Sequence, residues 1–156
     1  MKVPEDFLRP HGETGVTDEE FAAFEEVYGV VLPEDMKAFY RRQNGEFFQE
    51  GREYFLTDNE YELPLAEFHG IARTFHPHIL TIDHMLKWQQ MDGFLSGTLI
   101  PFCSDESGDS YFIQADGKGS KVYYLFHEEY DEFLKNPEDS LTAESFTDFL
   151  EKIHVR

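Results

Sequence analysis

The densest run of metal-ligating side chains is His76-Pro77-His78, followed by Asp83 and His84, and imidazole with carboxylate at that density would suit zinc. The remaining histidines are His11, His69, His127 and His154. No histidine pair stands at i, i+4 on a predicted helix, and Pro77 separates the closest two, so the stretch reads as loop histidines at a turn. Asp105-Glu106-Ser107-Gly108-Asp109 has the carboxylates and central glycine of a calcium loop. It lacks the later bidentate glutamate and the alternation of ligands, which leaves a solvated turn between strands. Cys103 is the only cysteine, so neither an internal disulfide nor a thiolate zinc cluster can form, and between Phe102 and Ser104 it reads as a small buried hydrophobe. Gly117 and Gly119 lie in a polar hairpin and not between a strand and a helix, which argues against a phosphate loop, and there is no nucleophile elbow. With 32 acidic residues some carboxylate pair can always be assembled in space, so such a pair carries no weight. The expectation is a protein without catalysis, cofactor or metal.

The elements that would position these residues are written locally. Thr17-Asp18-Glu19-Glu20 is a capping box, Val16 and Phe21 form a hydrophobic staple, and Phe21, Phe24, Val27 and Tyr28 recur at helical spacing until Gly29. Glu19, Glu25 and Glu26 fall on the other side. A second helix opens at Pro33, places Glu34 and Asp35 at the positive end of its dipole, and sets Met36, Phe39 and Tyr40 on one face. Arg41 and Arg42 occupy its last turn, and Asn44-Gly45 can end it in the left-handed region. Further on, Phe47-Phe48 and Glu53 to Leu56 suggest short strands or turns, and Tyr61 to Ala72 an extended segment broken at Pro64. A helix begins near Thr81, with Met85, Leu86, Trp88 and Gln89 before Gly93. Strands are predicted over Gly97 to Cys103, Ser110 to Ala115 and Lys121 to Phe126, the last two joined at Asp116-Gly117. Tyr130, Phe133 and Leu134 suggest a short helix ended by Asn136-Pro137, and Phe146, Phe149, Leu150 and Ile153 make the apolar stripe of a final helix. Helices around one antiparallel sheet define a single α+β domain over 16–156, preceded by an extended arm over 1–15.

The acidic amphipathic helix, then Leu32-Pro33-Glu34-Asp35, the aromatic helical face and Asn44-Gly45 resemble the second-helix region of the SUKH superfamily, the Smi/Knr-like domains. Two further segments carry the likeness. Leu99 to Ile113 is similar to that family's strand, acidic Gly-Asp turn and second strand, and Ser145-Phe146-Thr147-Asp148-Phe149-Leu150 to its closing helix. The order of the motifs, more than any one of them, makes the resemblance specific. The Phe48 to Leu63 region and the first fifteen residues have no clear counterpart.

Size and charge bound the function separately. At 156 residues a domain buries about 70% of the surface its unfolded chain exposes, and 16 Phe, 8 Tyr and 1 Trp supply the core. The formal net charge is −19, a field that repels nucleic acid and anionic membranes. The start Met-Lys-Val-Pro-Glu-Asp leads into polar residues and no segment approaches the ~20 apolar residues of a membrane span, so a soluble, cytoplasmic protein is expected. So large an acidic excess works against compactness and points to a basic partner. Bacterial members of the superfamily are largely immunity proteins that neutralise toxin domains, many of them nucleases. The resemblance therefore implies a non-enzymatic antitoxin that meets a basic toxin domain through acidic contacts. The residues assigned to it are Asp105, Glu106 and Asp109 in the turn, Glu128 and Glu129 after the last strand of the meander, and Tyr111 as an aromatic anchor if not a core residue. The other implied role is a regulatory or scaffold module of the cell-wall-assembly-regulator type, binding a signalling protein. Those relatives tend to carry long flanking tails, whereas this sequence stops close to its last predicted helix.

Overall fold

The computed structural model describes residues 2–10, 15–57, 63–71, 81–91, 99–125 and 136–155. The first helix, α1 (Asp18–Tyr28), begins at the predicted capping box. Thr17 Oγ1 accepts from the Glu20 amide at 3.2 Å, Glu20 Oε1 accepts from the Thr17 amide at 3.1 Å, and Gly29 ends the helix at φ +65°. Val16 and Phe21 are both buried, as a staple requires, but Val27 is 73% exposed, so the apolar face narrows to Phe21 and Phe24 with the partly buried Tyr28. Glu25 also departs from the expected solvated side. Its carboxylate accepts from the Leu32 amide at 2.9 Å and lies 3.3 Å from Lys37 Nζ.

The second helix, α2 (Glu34–Arg42), buries Met36, Phe39 and Tyr40. Pro33 stands one position earlier than predicted, as the capping residue, and the helix ends at Gln43 in extended conformation instead of a left-handed Asn44-Gly45 cap. Asn44 and Gly45 have other tasks. The buried Asn44 amide accepts from the Ile71 N–H at 2.7 Å and donates to the Ile71 carbonyl at 3.0 Å, standing in for a strand partner. Gly45, at φ +73°, lies so close to the chain that a Cβ would come within 2.6 Å of the Phe68 carbonyl oxygen. Asp35 does more than complement the dipole. Its Oδ2 accepts from Ser120 Oγ, the Thr147 amide and Thr147 Oγ1 at 3.0 to 3.2 Å, tying α2 to the start of the last helix.

The strands are β1 (Glu46–Phe47), β2 (Tyr54–Leu56), β3 (Leu65–Phe68), β4 (Leu99–Asp105), β5 (Ser110–Gln114), β6 (Val122–Leu125), β7 (Leu141–Ala143) and β8 (Ile153–Val155). The other helices are α3 (Ile82–Met91) and α4 (Phe146–Glu151). Six strands form one antiparallel sheet in the order β1-β3-β4-β5-β6-β7, and β2 pairs with β8 in a separate ribbon. The architecture is α+β, as expected. The predicted meander of three strands is present, but its second turn is wider than a tight hairpin, with the Gln114 amide bonded to the Lys121 carbonyl across it. Ile153 belongs to β8 and not to the last helix, which stops at Glu151. The predicted helix around Tyr130 to Leu134 lies outside the described residues.

The N-terminal segment was expected to be an extended arm. Over residues 2–10 it instead makes a 3-10 turn at Pro4–Asp6 and drives Phe7 and Leu8 into the core. The reason is aromatic packing, since the Phe7 ring stacks on Phe39, Phe48 and Phe68 with centroids 5.6 to 5.9 Å apart. Phe68 is the centre of this cluster, within 6.5 Å of Phe39, Phe102, Phe146 and Phe149 as well. The inner face of the sheet, under α2 and α4, thus carries the main core. The outer face carries a smaller one of Phe112, Tyr123 and Leu125 with Leu99 and Leu141.

Candidate functional site

The β4–β5 hairpin closes on the acidic turn. The Asp105 amide donates to the Asp109 carbonyl, the Gly108 amide to the Asp105 carbonyl, and Gly108 takes φ +90°, where a glycine is favoured. The Asp105 carboxylate is turned inward. Its Oδ1 accepts from the Ser107 amide at 3.0 Å, the Ser107 hydroxyl and the Asp109 amide at 3.2 Å, and its Oδ2 accepts from the Tyr124 hydroxyl at 2.6 Å. Asp109 Oδ2 lies 3.2 Å from Ser107 Oγ and 3.5 Å from the Tyr124 hydroxyl. A buried carboxylate is tolerable only with such donors, and here they also fix the turn. Tyr124 is locked in the protonated state. Burial, then the hydrogen bond to Asp105 and the negative charge of that carboxylate, raise its pKa far above the ordinary phenol value.

The six expected contact residues therefore separate. Glu106 is exposed on the turn, Asp105 and Asp109 are buried and hydrogen-bonded within it, and Glu128 and Glu129 lie outside the described residues. Of its two readings, anchor or core residue, Tyr111 occupies the core position. It is 1% exposed, and its ring packs on Phe149 at 5.3 Å and Tyr124 at 4.7 Å, because its place on β5 points it to the inner face. Cys103 is buried beside it, and burial, with Asp105 and Glu67 nearby, pushes its thiol well above the ordinary value, away from any nucleophilic use.

A groove of about 520 Å³ opens beside the turn, lined by Ala66, Glu67, His69, Met85, Ser104, Asp105, Glu106 and Gly108. Glu67 pairs with Ser104 across β3 and β4, on the outer face of the sheet, and Met85 of α3 supplies an apolar wall. His69 is buried, with Nδ1 3.7 Å from Glu67 Oε2. Reading the sequence for motifs passes over Glu67 and His69. The available signal is their spacing of two, with Glu67 in β3 and His69 just past its end, which in extended chain sets both on one face. Among the described residues no group of three or more His, Cys, Asp or Glu is placed to hold a metal ion. The stretch His76-Pro77-His78 lies outside the described residues. No described helix is long and apolar enough to cross a membrane.

Comparison with known proteins finds no match among curated proteins or solved structures. The model of the SMI1 / KNR4 family (SUKH-1) does match, over residues 15–152. That span takes in both N-terminal helices, the whole six-stranded sheet and α4, and the chain belongs to the SMI1 / KNR4 family.

Proposed function

We propose that this protein is a non-enzymatic binding module of the immunity type, which holds and neutralises a basic toxin domain, of nuclease type, in the cytoplasm. Family membership supports protein binding in general. The observation that carries the finer reading is the uncompensated negative charge of −19 on a folded, family-typical domain. The basic side chains do not offset it locally in a way that leaves them available. Arg9, Lys37, Arg41, Arg42, Lys121 and Lys152 each already face a carboxylate of the chain itself. Glu19, Glu26, Glu53, Glu106, Asp139 and Glu144 are among the exposed acids that remain. A nuclease presents a cationic cleft for phosphates, and complementary fields speed encounter well beyond an unsteered rate.

The test is capture of partners from the native lysate on the tagged protein at low salt, followed by a high-salt wash and mass spectrometry. A basic toxin domain released by salt, and inhibited when the purified protein is added back, is the expected result. Recovery of signalling or structural proteins with no basic fragment would replace this reading with that of a regulatory scaffold module, which the same family membership accommodates.

A further inference from the structure

His69 presents a problem that the fold leaves unsolved. The residue is 1% exposed, yet among the described residues neither ring nitrogen has a hydrogen-bond partner. A neutral imidazole carries one donor and one acceptor, and a buried polar group without a partner requires a reason. Its carbonyl is held by the Tyr40 hydroxyl at 2.6 Å, so the backbone is fixed while the ring is not. The Glu67 carboxylate stands with Oε2 3.7 Å from Nδ1, beyond hydrogen-bond range.

The ring lines the groove between the outer sheet face and α3, and the surroundings define what would suit it. Glu67, Asp105 and Glu106 give the groove negative charge, Ser104 and the imidazole add acceptors, and Ala66 and Met85 form an apolar wall. Among the described residues neither lysine nor arginine lines it. The Asp105 oxygens are already engaged by the turn, so that residue contributes charge more than lone pairs. Such a site repels phosphate and carboxylate and favours a cation rich in N–H donors with an aliphatic stem.

We infer that this groove receives the guanidinium of an arginine side chain presented by a basic protein partner. The guanidinium has five donors and no acceptor, its stem can lie along Met85 and Ala66, and its plane can offer one N–H to the unprotonated nitrogen of His69 while facing Glu67 and Glu106. The inference rests on the binding reading above, since the partner supplies the arginine. It adds a defined socket to what is otherwise a diffuse electrostatic attraction.

The experiment is a titration of the isotope-labelled protein with N-acetylarginine amide, following the His69 ring nitrogens and the amides of Ser104 to Gly108 by NMR. Saturable shifts are expected, with affinity weakened about tenfold in Glu67→Gln, the size associated with losing a charge-assisted hydrogen bond. Glu106→Gln, at an exposed turn position, gives a second variant should the first not fold, and it also weakens binding. Absence of saturation, equal shifts with uncharged N-acetylnorleucine amide, or affinity unchanged in both variants would overturn the inference. Tighter binding of the lysine analogue, or of free arginine, would overturn it too, the latter by making the groove a site for a small molecule. A captured basic partner bound equally well by both variants would remove the groove from the interface and leave the binding reading intact. Saturable blocked-arginine binding without any captured basic partner would support the socket and count against that reading.

Discussion

Asp105 shows how an acidic residue expected to meet a partner can be occupied with its own fold. Its carboxylate gathers the Ser107 and Asp109 amides, the Ser107 hydroxyl and the Tyr124 hydroxyl. Tyr124→Phe removes the donor from the second oxygen and leaves the buried carboxylate short of a partner. A loss of about 1–3 kcal/mol is expected, read from urea unfolding. The partly buried Tyr28 and the buried Tyr111 also set an alkaline limit. Burial, reinforced by the charge and hydrogen bond of Asp83, raises Tyr28 from 10 to about 12, and burial, the Cys103 thiol, Tyr124 and Asp105 raise Tyr111 beyond that. Below the unfolded value both states hold their protons and the full contribution to stability is present. As pH climbs from 10 towards 12 the unfolded chain ionises first, so stability falls. Phenolate absorbance should rise in two stages, the second coinciding with unfolding; a single ordinary transition in a folded protein would contradict it. The turn was legible in the sequence as Gly-Asp chemistry. The inward direction of Asp105 was not, because it depends on a tyrosine 19 residues away on another strand.

At the scale of elements, what was legible is what is local. The Thr17 box, the Gly29 stop and the aromatic face of α2 are written within a few residues, and each occurs as read. The edges of the sheet were not legible, since β7 and β8 are only three residues long and β8 finds β2 about a hundred positions away in the chain, through Phe55 and His154. The core role of Phe7 and Leu8 was hidden by Pro4 and Pro10, which suggested an arm. Two substitutions separate local from non-local contributions. Thr17→Ala should cost about 1 kcal/mol, the usual value of a helix cap. Asp35→Ala should cost more, about 2–3 kcal/mol, because it releases Ser120 and Thr147 from the junction of α2 and α4 together. Equal costs in chemical denaturation would mean that the junction contributes no more than a surface cap.

For the whole molecule the dominant quantity is charge. With 32 acidic against 13 basic residues, the folded domain repels itself, and screening should relieve it. The melting temperature is expected to rise between about 10 mM and about 0.5 M sodium chloride, where the Debye length shrinks from roughly 30 Å to a few ångströms. A flat response in a thermal melt would mean that internal ion pairs already balance the field. Binding of the proposed basic partner should move the opposite way, weakening as salt rises, because attraction between opposite charges is screened by the same ions. Fold class and family were legible at this scale from the order of motifs, whereas the groove at Glu67 and His69 needed β3, β4 and α3 to be brought together. The most direct measurement is the nucleic-acid-cleaving activity of the captured basic domain as this protein is added at low salt. Loss of activity reaching completion near one equivalent, restored by salt, is the predicted result; a basic domain that stays fully active while bound and saturated would contradict neutralisation.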